Sequence, residues 1–182
     1  MTISSETNRV SYTGNGVTTA FSFPYYFLAD ADLVVISRNI SSGAETVKAI
    51  TTDYTVSGAL SSGGGTVTML SAPTSAVKLS IYRDPAITQP LDLVDNDPLP
   101  AESVERAFDR GTMIAQRNSD RIDRAVRLTD GFASTFDPQL PAILTADSAL
   151  IVNSAGTGFS IGPTAAAISG AQAAATSAAA SA

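Results

Sequence analysis

Cysteine and histidine are both absent from the 182 residues. Without cysteine there is no disulfide framework and no thiolate metal site. The chain therefore folds without oxidation, which suits assembly in a reducing cytosol. Without histidine it lacks the commonest general base, the commonest metal ligand and the usual partner of a nucleophilic serine. Positive charge is scarce too: 11 Lys and Arg stand against 17 Asp and Glu, a net charge of −6. An acidic chain has no global electrostatic reason to bind nucleic acid, so none is expected as a partner. Long apolar runs are also missing. No stretch approaches the ~18 apolar residues of a membrane span, so no membrane insertion is expected. Met1–Glu6 carries neither a basic nor an apolar leader pattern, which reads as a protein made in the cytoplasm.

The chemistry-bearing motifs are weak. Glycoside hydrolysis needs two positioned carboxylates. Asp30/Asp32 and Asp92/Asp95/Asp97 offer acids, but each group reads as surface turn residues. The second group lacks the spacing and the glycine of a calcium-binding loop. Gly14-Asn15-Gly16 and Gly63-Gly64-Gly65 are not strand-to-helix phosphate loops. No serine sits in a Gly-x-Ser-x-Gly elbow. No catalytic residue, cofactor site or metal ligand is assigned, and the segment is expected not to be an enzyme.

What is present is patterned structure. The fold class expected is mainly β with one long α-helix. Residues 1–84 read as a small antiparallel β-sandwich. Its strands are Arg9–Thr13, Val17–Phe23, Leu33–Ser37, Tyr54–Ser57, Thr66–Leu70 and Val77–Arg83. Val77/Leu79/Ile81 alternate with Lys78/Ser80/Tyr82, the mark of a half-buried strand. Gly14-Asn15-Gly16 predicts a hairpin, because those residues accept positive φ. Gly63–Gly65 predicts a second turn. Residues 85–100, with Pro85, Pro90, Pro98 and Pro100, form an extended connector.

Residues 101–128 carry the clearest helix, within a coiled-coil segment over 101–130. Glu102 and Glu105 lie near its N-terminus, Arg124 and Arg127 near its C-terminus, matching the helix dipole. Glu102–Arg106, Asp120–Arg124 and Asp123–Arg127 stand at i,i+4. Gly131 is the expected stop. The spacing of Val104, Phe108, Gly111, Ala115, Asn118, Ile122 and Ala125 alternates four and three, the seam of a coiled coil. Such a helix, about 40 Å long, is marginal alone and must pack on something. One reading packs it on the β-domain of its own chain. The sharper reading is a parallel homotrimer with these seven residues as the seam. The arginine row, Arg106 to Arg127, reads as a salt-bridged solvated face rather than a nucleic-acid stripe.

Residues 131–163 read as a small β-hairpin module, with Asn153–Thr157 between Leu150–Val152 and Gly158–Ile161. Residues 164–182 are an Ala/Ser-rich tail, either a shaft helix or a disordered end. Five of the twelve aromatics, seven Phe and five Tyr, fall at Phe21, Phe23, Tyr25, Tyr26 and Phe27. Core packing is the default for this cluster. Tyr25, Tyr26, Phe27 and Leu28 follow a strand-breaking proline, and together they form the candidate docking patch.

In order, Ser11–Gly16, Phe21–Phe27, Thr52–Val56, Gly64–Val67, Leu79–Arg83 and the long helix resemble the N-terminal virion-attachment domain of tail fibres and tailspikes of short-tailed phages. The segment Leu150–Pro163 is similar to a small β module of trimeric phage fibres, and the Ala/Ser tail to their shaft helices. The resemblance implies a structural part of the virion, assembled in the host cytoplasm as a homotrimer. It implies attachment to the adaptor and nozzle proteins of the tail, with host recognition downstream of Ala182. The chain stops within low-complexity sequence, which reads as a piece of a longer fibre. Two alternatives stand beside this: a host-glycan receptor-binding module, and a depolymerase tailspike.

Overall fold

A computed structural model describes residues 3–93, 100–125, 127–129, 131, 135–141 and 146–180. The chain forms two compact units, 1–125 and 126–182. Among its described residues the first holds seven strands and a long helix. The strands are β1 (Arg9–Thr13), β2 (Ala20–Phe23), β3 (Leu33–Asn39), β4 (Glu45–Val47), β5 (Tyr54–Ser57), β6 (Gly65–Met69) and β7 (Val77–Arg83). They make a four-stranded sheet ordered β1-β7-β3-β4 and a three-stranded sheet ordered β2-β6-β5, all antiparallel.

Alternation drives the sandwich. Leu79 and Ile81 of β7 and Leu33 and Val35 of β3 point into one core. Phe21 and Phe23 of β2, Val67 and Met69 of β6 and Tyr54 of β5 meet them from the other sheet. Phe23 stacks edge-on against Phe27, with ring centroids 6.0 Å apart. The Tyr54 hydroxyl donates to the Leu33 carbonyl at 2.8 Å, so this buried polar group is satisfied.

Two expectations are corrected. Gly14-Asn15-Gly16 does not close a hairpin. Strands β1 and β2 belong to different sheets, and the loop carries the chain across the sandwich. The Asn15 side-chain carbonyl accepts from the Val17 and Thr18 amides, and Gly14 lies against residues 73–74, where a Cβ would fall 2.3 Å from two carbonyl oxygens. The turn chemistry is real, but it serves a crossing. The short edge strand β4 was not anticipated. All three of its residues are exposed, so no alternation marks it. By contrast, Gly63 and Gly64 do lie in the connection between paired strands β5 and β6, and Gly65 opens β6.

Helix α1 runs Ala101–Asp123, shorter than the 101–128 expected. The Arg124 amide donates to the Arg121 carbonyl and the Ala125 amide to the Ile122 carbonyl, tightening the last turn, so Ala125, Arg127 and Leu128 lie beyond the helix. Of the connector, residues 85–93 are irregular, with Pro85 buried. Asp95, Asp97 and Pro98 lie outside the described residues.

In the second unit, β8 (Ser148–Val152) and β9 (Phe159–Thr164) pair as an antiparallel ribbon. Asn153 organises the tip, accepting from the Thr157 amide. Phe136 meets Phe159 edge-on at 5.3 Å. The Ala-rich segment forms helix α2 (Ala165–Ala180), exposed along its length. Among the described residues, no helix is long and apolar enough to cross a membrane.

Candidate assembly interface

Helix α1 shows two opposite faces. One binds its own sandwich, and that face is polar. Asp109, Met113 and Arg117 are buried, with Gln116 and Asp120 beside them. At 100° per residue these five lie on one side of the helix. Only Met113 is apolar, and it is fully buried. Hydrophobic periodicity could not find this face, because polar groups hold it in place.

Those polar groups interlock three elements: α1, the end of β7 and the N-terminal strap 3–8. Arg83, only 1% exposed, reaches out of the core. It donates to the Tyr26 carbonyl at 2.6 Å, the Thr7 carbonyl at 3.2 Å and the Gln116 side-chain carbonyl at 2.6 Å. Burial pushes its pKa below the ordinary arginine value, and the charge of Asp109 acts against that fall. Gln116 in turn donates to the Ser5 carbonyl at 2.7 Å, and its own backbone carbonyl accepts from Asn8. The Ile3 amide donates to Asp109. Arg117 lies over the Tyr82 ring and bridges Asp84 and Asp120. Arg9 and Arg124 join Asp120. Burial pushes the Asp120 carboxyl up; the bonds and charges of Arg124, Arg9 and Arg117 outweigh it and hold the pKa below its usual value.

The other face carries the seam residues. Phe108 is 73% exposed and Ile122 53%. Gly111, Ala115 and Asn118 are exposed and Val104 is half-buried; Ala125, also exposed, lies past the end of α1 and so drops out of the helical stripe. In one chain the stripe therefore remains largely uncovered, and the helix packs on its own β-domain through different residues. Glu102–Arg106 and Asp120–Arg124 pair as the spacing predicts.

The aromatic patch divides. Tyr26 is buried, with its hydroxyl pKa raised by burial and by Asp109, and Phe27 lies fully in the core. Tyr25 and Leu28 are half-exposed. Of the four candidate docking residues, only these two retain surface. Asp32 is also buried, accepting from the Ala29 amide, and burial raises its pKa. It braces a single 3-10 turn, Asp30–Asp32. Among the described residues, no three His, Cys, Asp or Glu side chains are grouped to hold a metal.

No protein-family model matches the chain. Over 137 residues, 75% of its length, it is 35% identical to the tail spike protein of Salmonella phage epsilon15. The chain spans 13% of that relative's length. The similarity and the mainly β fold define a structural component of a phage virion tail. Within that class, the chain belongs to the family of tailspike N-terminal domains of short-tailed phages.

Proposed function

We propose that this segment is the non-catalytic anchor of a trimeric tail fibre or tailspike. The sandwich binds the adaptor and nozzle proteins of the tail, α1 holds three chains in register, and host recognition lies in further domains. One observation carries the reading: α1 packs its polar face against its own sandwich and turns its apolar stripe, Phe108 and Ile122 foremost, to solvent. Exposed apolar stripes of this regularity mark a protein interface. Three linked copies then turn modest single contacts into lasting attachment.

The reading is tested by co-purifying the chain with virion tail proteins and cross-linking the complex. Cross-links from the sandwich to adaptor or nozzle support it. Binding to host glycans alone favours a receptor-binding module. Hydrolysis of capsule or lipopolysaccharide by residues 1–182 overturns the non-catalytic role.

A further inference from the structure

Gly111 lies mid-way along α1, within the exposed stripe. Glycine is among the least favourable residues in a helix interior. A crowding neighbour often explains such a glycine. Here a Cβ built on Gly111 meets no atom within 4 Å among the described residues beyond its own helix backbone. No described neighbour accounts for the missing side chain, which leaves room for a group that approaches from outside.

A groove runs beside it. Ala107, Gly111 and Ile114 form one wall, and Ile87 and Pro90 of the connector form the other, of an open groove of about 310 Å³, wide enough to take an aromatic ring. The side chain of Arg110, at the groove's edge, is tied to the Ala86 carbonyl at 3.1 Å. Phe108, the one aromatic residue of α1, stands on the stripe one turn before Gly111.

We propose that the Phe108 ring of one copy enters the Gly111 groove of the next. This rests on the trimer reading above and deepens it. Knob and hole share one helix and one level, so parallel, in-register copies bring them together. Each copy gives a ring to its neighbour and receives one, and the circuit closes after three. Charge argues for a second copy over a foreign partner. Identical helices side by side set identical flanks close together. At the level of Gly111 the flanks are Ala107 and Ile114 on one side and Thr112 and Ser119 on the other, all uncharged; the rows' charged members, Glu105 and Arg121, lie at opposite ends and are of opposite sign. The connector thereby becomes part of the interface, through Ile87 and Pro90.

The test uses the whole 182-residue chain, mixed from two isotopic labels, with a photo-cross-linking phenylalanine at position 108. The expected product joins position 108 of one label to residues 87–90 or 107–114 of the other. In parallel, Gly111→Ala is expected to raise the melting temperature of the dilute monomer, yet weaken trimerisation by about tenfold or more. Phe108→Ala is expected to weaken it similarly. If trimers form but cross-links fall elsewhere and Gly111→Ala leaves association unchanged, the groove assignment is wrong and the trimer reading stands. If the unaltered chain sediments as a monomer at high micromolar concentration, both fall. Cross-links from position 108 solely to another virion protein overturn the self-association proposal.

Discussion

The guanidinium of Arg117 lies 4.1 Å from the centre of the Tyr82 ring. It is stacked there while ion-paired to Asp84 and Asp120, so a single side chain joins α1 to the outer face of β7. Arg117→Ala removes the stack and both pairs, while Arg9 and Arg124 still reach Asp120 and Arg121 still reaches Asp84. The expected loss is about 2 kcal/mol in urea unfolding. Arg117→Lys keeps the charge but not the planar stack, and is expected to lose about 1 kcal/mol.

Acid should loosen the same junction through Asp120. Its pKa in the folded chain lies below the ordinary carboxylate value. A depressed acid contributes stability that is complete above the unfolded pKa and is lost as pH falls through the folded one. The window therefore runs downward from about pH 4. Asp32, whose pKa is raised, acts in the opposite sense: its ionised form is disfavoured in the fold, and protonation relieves that. Asp120→Asn is expected to flatten the acid limb of a stability–pH profile, with lower stability at neutral pH. An unchanged acid limb assigns the sensitivity elsewhere.

Met113 and Ile122 separate the two faces of α1. Met113 is fully buried, and Met113→Ala is expected to lose about 3 kcal/mol of monomer stability. Ile122 is on the exposed stripe, and Ile122→Ala should leave the monomer within about 0.5 kcal/mol. Equal losses in both variants contradict the assignment of inward and outward faces.

Glycines 16 and 64 make a paired comparison of backbone need. Both have φ of +77°, the left-handed region. At Gly64 an added Cβ falls 2.0 Å from the Phe23 carbonyl oxygen; at Gly16 it meets nothing within 4 Å. Gly16→Ala should lose about 1 kcal/mol, for conformation alone. Gly64→Ala should lose more than about 3 kcal/mol, because the β2 backbone must move. Melting temperatures rank the two.

These elements also show what was legible beforehand. Strands β1, β5 and β7 carry the limits expected, because β-branched and aromatic residues alternate or cluster between turn residues. Partner choice was not legible: Asn15 announces a turn, yet a turn does not say which sheet its flanks join. Strand β4 escaped because all its residues are wet. The stripe of α1 was visible as periodicity, whereas Asp109, Gln116 and Arg117 looked like ordinary surface. Their burial depends on Arg83 and Ser5, which local sequence does not bring near. Tyr26 and Phe27 follow a strand-breaking proline and so suggest a surface patch, but both are buried.

The strap has a consequence in time. Ser5 is bonded to Gln116 and Ile3 to Asp109, across separations of 111 and 106 positions. A ribosome must deliver nearly the whole first unit before its earliest residues find their places. Until then Arg83 lacks its acceptor on Gln116, and the helix is not locked in its final orientation. The junction of α1, β7 and the strap is therefore among the last parts of the first unit to form, after all seven strands have left the ribosome.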